Sequence, residues 1–398
     1  MQKLKDTIGD KGLLTDGDWI LSENLDNGGS VGVIQLKHIG VGEFLDKNFS
    51  FITEETFKKL KCTEVQQNDV LISRMAEPIA RACIVPKLPF KTVTAVDVSI
   101  LRIDENVADR RYIKFLCNSD LVKTQAEEVS RGTTRQRITR KELEKIQIPL
   151  PKPDEQKRIA TILDKADRLR RQRRFAQTLS DSFLQSVFIK MFGDPASNPM
   201  NWEVLSLRKI SAKFSDGPFG SNLKTEHYAS SGVPVIRLQN IGVGEYVESH
   251  PSFISHLHFK ELSKHRCIPG DVIVGTMGEP NLRACILPSS IPEALNKADC
   301  VQIRVNEKKA NSDFICWLLN MPQTLFLASG MIVGQTRSRI SMGRLAELDV
   351  PIPPLPLQEK FAEIVQKFER VRRQQREATR QAEHLFQTLL HRAFRGEL

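Results

Sequence analysis

VIQLKHIGVGEF, Val33–Phe44, returns as VIRLQNIGVGEY at Val235–Tyr246, with eight of twelve positions identical. Each copy joins an apolar, strand-like run to a glycine-punctuated turn. The offset is 202 residues and holds without a gap from about Val33 to Phe192. Thus SFI at Ser50–Ile52 recurs at Ser252–Ile254, and DVLISRMAEPIARACIVP from Asp69 recurs as DVIVGTMGEPNLRACILP from Asp271. GTTRQRIT from Gly132 answers GQTRSRIS from Gly334, and IPLPKPDEQ from Ile148 answers VPIPPLPLQ from Val350. A repeat this long is a duplicated domain-sized unit, which excludes a short-period solenoid.

Each copy has two parts. The first, roughly 150 residues, mixes runs such as DVLIS, VSILRI, DVIVG and CVQIRV with helical patches such as ADRRYIKFLCN and NSDFICWLLN. It ends in a Pro-rich hinge, Pro149–Pro153 or Pro351–Pro356, that continues neither a helix nor a central strand. The second part reads as a helix of about 37 residues, roughly 55 Å long. Its apolar steps of three and four predict a heptad seam: Ile159, Ile162, Ala166, Leu169, Phe183 and Val187 in one copy. Phe361, Ile364, Phe368, Val371, Leu385 and Leu389 form the other, and polar Arg173 and Gln375 interrupt both at equivalent places. Matched seams in one chain predict that the helices pack on each other. The expected class is α+β: two tandem mixed α/β globules, residues 1–153 and 193–355, separated by two long antiparallel coiled-coil helices. The helices fall at 154–192 and 356–398, and the whole forms a pseudo-twofold repeat.

Among 398 residues, 40% are hydrophobic, and no run approaches the 18–20 apolar residues of a spanning helix. The opening MQKLKDTIGDKG lacks the apolar core of a signal peptide. Seven cysteines without a CxxC pair argue against a disulfide framework and a zinc ribbon. The expectation is a cytoplasmic protein with reduced thiols and no membrane partner. The net charge is +10, of which residues 157–174 carry +6 and residues 359–376 carry +3. That surplus favours a polyanionic partner, with the charge concentrated on the long helices.

Catalytic signatures are missing. There is no GxxxxGK[ST] phosphate loop and no Asn/Asp-Pro-Pro-aromatic run of the kind amino-methyltransferases use. Pro153-Asp-Glu-Gln-Lys157 superficially resembles part of a nuclease site, but Asp154 and Glu155 suit the first turn of a helix, where the dipole favours acids. His250, His256, His258, His265 and Cys267 match no zinc spacing and have no counterparts in the first copy. Cys83 and Cys285 read as small buried residues, and Gly40, Gly42, Gly242 and Gly244 as turn glycines.

The order of globule, (I/V)P(L/I)P…Q, long helix, then both again, ending in AFRGEL at Ala393–Leu398, resembles the DNA-specificity subunit of type I restriction-modification enzymes. GPFGSNL at Gly217–Leu223, followed by VIRLQNIG and GQTRSRIS, is similar to that family's target-recognition pattern. TDGDW at Thr15–Trp19 stands opposite SDGPF at Ser215–Phe219 after a two-residue slip, the weakest part of the match. The resemblance implies a sequence-specific DNA-binding subunit without its own catalytic site. Each globule then reads one half of a bipartite, asymmetric target on double-stranded DNA, and the paired helices set the spacer. It implies two modification subunits carrying S-adenosylmethionine and restriction subunits using ATP and Mg2+, with no cofactor or metal on this chain.

The two copies supply a contrast for choosing DNA contacts, since two different half-sites need different polar readers on a shared frame. Lys37 and His38 stand opposite Gln239 and Asn240, and Arg74 opposite Thr276. Arg237 belongs to the same second-copy run. Gln136 stands opposite Ser338, inside the pairs Arg135/Arg137 and Arg337/Arg339, which suit phosphate. Ser221, Asn222 and Lys224 lie on a Gly-rich loop able to approach a groove. Two other functions fit the same architecture: a coiled-coil scaffold whose globules bind protein, and a specificity chain of a related methyltransferase or restriction system.

Overall fold

The computed structural model describes residues 1–75, 77–132, 136–249, 251–278, 280–334 and 337–398, the side chain of Asp181 excepted. The chain divides into two compact units, Met1–Phe175 with Glu377–Leu398, and Ala176–Arg376. The long helices span Pro153–Phe192 and Leu355–Arg395, so each contributes one segment to each unit.

In the first unit an antiparallel sheet orders its strands Leu13–Asp16, Val98–Arg102, Val70–Ser73, Ala82–Ile84. The run VLIS is buried throughout because both faces of the sheet are covered. Val70 and Ile72 face the cluster that includes Tyr112, Phe115 and Leu116, while Leu71 faces Ile34, Ile39 and Val85. Alternate residues therefore feed two cores, as the two-residue period of a strand requires. A second sheet pairs Ser50–Ile52 with Val31–Ile34, which runs parallel to Thr92–Thr94.

Helix Arg110–Cys117 covers the first core, capped by Asp109, whose carboxylate accepts the N–H groups of Arg111 and Tyr112. Just beyond it, the Asn118 amide pairs with both backbone groups of Ala82, at 3.1 and 2.9 Å. Gln156, fully buried in the first turn of the long helix, accepts from Asp109 N–H at 2.9 Å and donates to the carbonyls of Val107 and Pro151. That side chain ties the hinge to the globule. The last segment of the second long helix runs antiparallel to the first: Arg158 donates to the Leu398 carbonyl, and Arg170 bonds Glu383 at 2.9 Å and lies over the Phe386 ring. Phe394 then meets Tyr112 edge-on at 5.4 Å.

The second unit repeats this plan. Its main sheet orders Ser211–Ser215, Cys300–Val305, Val272–Gly275, Arg283–Ile286, and a five-stranded sheet includes Val233–Ile236 beside Ala294–Asn296. Asn311 caps helix Ser312–Leu319, Asn320 pairs with Ala284, and Gln358 accepts from Asn311 N–H at 2.9 Å. Arg304 grips Asp271 with two bonds at 2.8 and 2.9 Å, as Arg102 grips Asp69 at 2.9 and 2.8 Å. Here too the helix segments run antiparallel, through Phe188 with Phe361, Phe183 with Phe368, and a bond from Ser180 to Gln375.

The expected seam needs correction at three places, while Phe183, though 45% exposed, keeps its stacked contact with Phe368 at 4.8 Å. Ile159, Ala166 and Phe361 are buried, and Ile162, Val187, Ile364, Phe368 and Leu389 are half-buried. Leu169, Val371 and Leu385 are instead 38–45% exposed. The buried stripe steps mainly by four, through Leu184, Phe188 and Phe192 and through Ala382, Phe386 and Leu390. Each segment packs on a globule as well as on the opposing helix, so its buried face follows four-residue ridges rather than the narrow heptad line.

All seven cysteines are free and buried, and burial pushes the Cys83 and Cys285 thiols up to about 12. Among the described residues no helix is long and apolar enough to cross a membrane.

Candidate nucleic-acid interface

Strand register gathers the chemistry-bearing loops at one end of each main sheet. In the first unit, Asp16 opposite Ser99 and Ser73 opposite Val98 mark that end. Three segments meet there: the loop after Asp16, the turn from Ala95 to Asp97, and the turn after Ser73. Arg74 N–H donates to the Asp97 carbonyl, and the Arg74 guanidinium pairs with Asp16 at 3.1 Å. A fourth segment closes on them, because Ile138 N–H donates to the Arg74 carbonyl at 2.9 Å and Arg137 pairs with Asp97 at 2.9 Å. Arg131 and Arg137 exchange two backbone bonds, at 3.0 and 2.9 Å. Arg81 then draws in the VIQLKHIG turn, donating to the carbonyls of Ile39, Leu36 and Pro78.

The second unit builds the same cluster, with Thr276 in the place of Arg74. Thr276 N–H bonds the Asp299 carbonyl, Ile340 N–H bonds the Thr276 carbonyl, and Val333 and Arg339 exchange two backbone bonds at 2.9 Å. Arg339 lies 3.7 Å from Asp299 and Asn281 donates to Ser338 at 3.2 Å. Arg283, like Arg81, donates to the turn, at the Leu238 carbonyl.

The sequence-selected residues divide sharply within this frame. Lys37, Gln136, Ser221, Asn222, Lys224, Gln239 and Arg337 are exposed, and Arg137, Arg237, Ser338 and Arg339 are half-buried. Arg135 lies outside the described residues. Lys224 pairs with Glu226 at 3.4 Å, and the Asn222 carbonyl contacts His258. Four candidates are corrected from base readers to framework residues. His38 is fully buried against Phe49, and its Nδ1 accepts Gln35 N–H at 2.9 Å. Asn240 does the same work, accepting Arg237 N–H at 3.0 Å and donating to the carbonyls of Val247 and Ser249. Arg74 and Thr276 are buried, the first on Asp16 and the second donating to the Asp299 carbonyl at 3.2 Å. Difference between copies at these positions reflects two solutions to one packing problem.

What remains exposed is a set of cationic and amide groups on hydrogen-bonded loops, suited to phosphate oxygens and base edges. Residues that sequence reading passed over build the frame: Arg81 and Arg283 hold the turn, Asn118 and Asn320 hold the strands of Ala82 and Ala284, and Gln156 and Gln358 hold the hinge. Their signal was identity at the 202-residue offset. His250 lies outside the described residues, His265 donates from Nδ1 to the Asp216 carbonyl at 2.5 Å, and Cys267 is buried. Among the described residues no group of three His, Cys, Asp or Glu side chains is arranged to hold a metal ion. Asp154 and Glu155 occupy the first helical turn, and Glu155 pairs with Arg158 at 2.7 Å.

Duplicated globules with matched loop clusters, each including segments of both long helices, define a tandem-repeat α+β protein. Residues 6–174 and 199–382 match the type I restriction modification DNA specificity domain, and the chain belongs to that family. It is similar to the type I restriction enzyme MjaIX specificity subunit of Methanocaldococcus jannaschii, 25% identical over 334 residues, 79% of this chain and 74% of that one. The MjaVIII specificity subunit of the same organism is 22% identical over 280 residues, 66% and 65% of the two chains. In fold it is similar to the S subunit of a type I restriction-modification system from M. genitalium, with a TM-score of 0.59, 16% identity, and 99% and 95% coverage. A chain from a study of assembly and conformational transition in the type I system gives a TM-score of 0.54 at 17% identity, covering 97% of this chain and 98% of that one.

Proposed function

We propose that this chain is the DNA-reading, non-catalytic subunit of a cytoplasmic type I restriction-modification complex, each unit reading one half of a bipartite, asymmetric duplex target. One observation carries the reading: both units present the same four-segment loop cluster on the same framework, while the exposed polar residues on it differ. Lys37 faces solvent where the second unit has Gln239, and Gln136 where it has Ser338. A common frame with different exposed donors is what two unlike half-sites require.

The long helices serve two further purposes in this proposal. Their length fixes the spacer between half-sites, and their exposed apolar residues, among them Phe175 and Leu179, receive two modification subunits. S-adenosylmethionine then resides on those subunits, and ATP and Mg2+ on restriction subunits that join them. The chain contributes selection and positioning, and the chemistry belongs to its partners.

The test is methylome sequencing of a host expressing this chain with its modification subunit. A single two-part motif with a fixed gap is the expected result. Methylation without a two-part motif overturns the proposal, and an assembled complex that shows no salt-dependent, sequence-selective duplex binding favours a protein-binding scaffold instead.

A further inference from the structure

Trp19 and Phe219 occupy equivalent places in the two units, each closing the short loop that leaves the main sheet after Asp16 or Ser215. Both rings face solvent, at 68% and 46% exposure. The other two tryptophans are held by the fold: Trp317 is buried, and the Trp202 indole donates to the Phe192 carbonyl at 2.9 Å. Nothing in either unit's packing calls for a large exposed ring at this position.

The backbone beneath each ring is tightly held. Gly17 N–H bonds the Val98 carbonyl and Asp18 N–H bonds the Thr94 carbonyl, at 2.9 and 2.8 Å, while the Asp18 carboxylate accepts Thr63 N–H. A Cβ on Gly17 would fall 2.2 Å from the Ala95 oxygen, and one on Gly217 would fall 2.1 Å from the Lys297 carbonyl carbon. Only glycine permits this approach, so each aromatic follows a backbone fixed against the turn that also carries Asp97 or Asp299. Those are the carboxylates that pair with Arg137 and Arg339.

We propose that Trp19 and Phe219 pack their ring faces on bases, one ring for each half-site; this rests on the DNA-reading function above. What the two positions share is an aromatic face. Phenylalanine has no N–H, so a hydrogen bond to a base edge cannot be the common contact, whereas stacking or apolar packing can. The rings stand at the strand ends beside the arginine-bearing loops, and the long-helix segments cover a different part of each unit, the helix face of the sheet. That placement favours DNA over a protein partner.

The experiment uses the complex assembled with modification subunits and the duplex found by methylome sequencing. Trp19→Ala and Phe219→Ala are each compared with the aromatic replacements Trp19→Phe and Phe219→Trp, by anisotropy of labelled cognate and base-substituted duplexes. Each alanine variant is expected to bind cognate duplex roughly tenfold more weakly. It is also expected to lose discrimination in one half-site only, the opposite half for the other variant, and the aromatic replacements recover most of both. Wild-type-like binding by the alanine variants overturns the inference. So does equal loss on cognate and scrambled duplex, or loss traced by sedimentation to failed subunit assembly. A wild-type complex that prefers no duplex overturns the DNA-reading function itself, and this inference with it.

Discussion

His38 and Asn240 accept the same backbone proton in the two units, one with a ring nitrogen and the other with an amide oxygen. The histidine solution carries a pH dependence that the asparagine solution lacks. Burial against Phe44 and Phe49, with Lys37 adjacent, holds the His38 pKa below its ordinary value, and the Nδ1 that accepts Gln35 N–H must be unprotonated. The unfolded ring titrates near 6.5, so below that pH the unfolded state takes up a proton the folded state excludes. His38 therefore stabilises fully above about 6.5 and progressively less as pH falls. His38→Asn should flatten the fall in melting temperature between pH 7 and 5, leaving a remainder from His265, whose pKa burial also lowers. A second prediction separates contacts by kind. Arg337→Ala should weaken specific and nonspecific duplex alike and reduce the salt slope by about one, whereas Gln239→Ala should change preference at defined bases by about 1–3 kcal/mol. Identical behaviour across duplex variants would show that this sorting is wrong. The contrast between copies was legible in sequence at all these positions. Burial was not, because a polar residue in a loop reads the same whether it faces water or staples a turn.

At the scale of elements, Gln156 and Gln358 explain why the Pro-rich hinge ends in glutamine. Each is fully buried and joins the cap of a globule helix to the start of a long helix. Gln358→Leu keeps the volume but leaves Asn311 N–H and the Pro353 carbonyl unmet, which should lower stability by about 2–3 kcal/mol in urea unfolding. An unchanged midpoint would mean water replaces both bonds. The hinge and the long helices were readable from proline and apolar spacing. The heptad line failed at Leu169, Val371 and Leu385 because a one-dimensional period assumes a single packing partner. Here two surfaces press on each helix segment, and the buried line shifts towards Arg170, Leu184, Arg372 and Phe386.

At the scale of the whole molecule, the duplication was the clearest signal in the sequence, since 202-residue identity survives wherever framework side chains recur. If helix length sets the spacer, four residues inserted between Ala176 and Gln177 lengthen the helix by about 6 Å and turn its far part by about 40°. An accommodated insertion should favour a spacer longer by about one or two base pairs, with half-site sequences unchanged, as read by methylome sequencing. A folded, active variant confined to the original spacing would show that the helices do not measure the gap.

The way the units divide the chain also orders events during synthesis. Residues 176–376 are contiguous, so the second unit has all its parts as soon as they have left the ribosome. The first unit is made earlier yet must wait for residues 377–398, whose Phe386 and Phe394 cover Phe115 and Tyr112. The half made first is thus finished last. A nascent chain stalled before that segment would carry one closed unit and one open apolar face, and that face is the one a chaperone would have to guard.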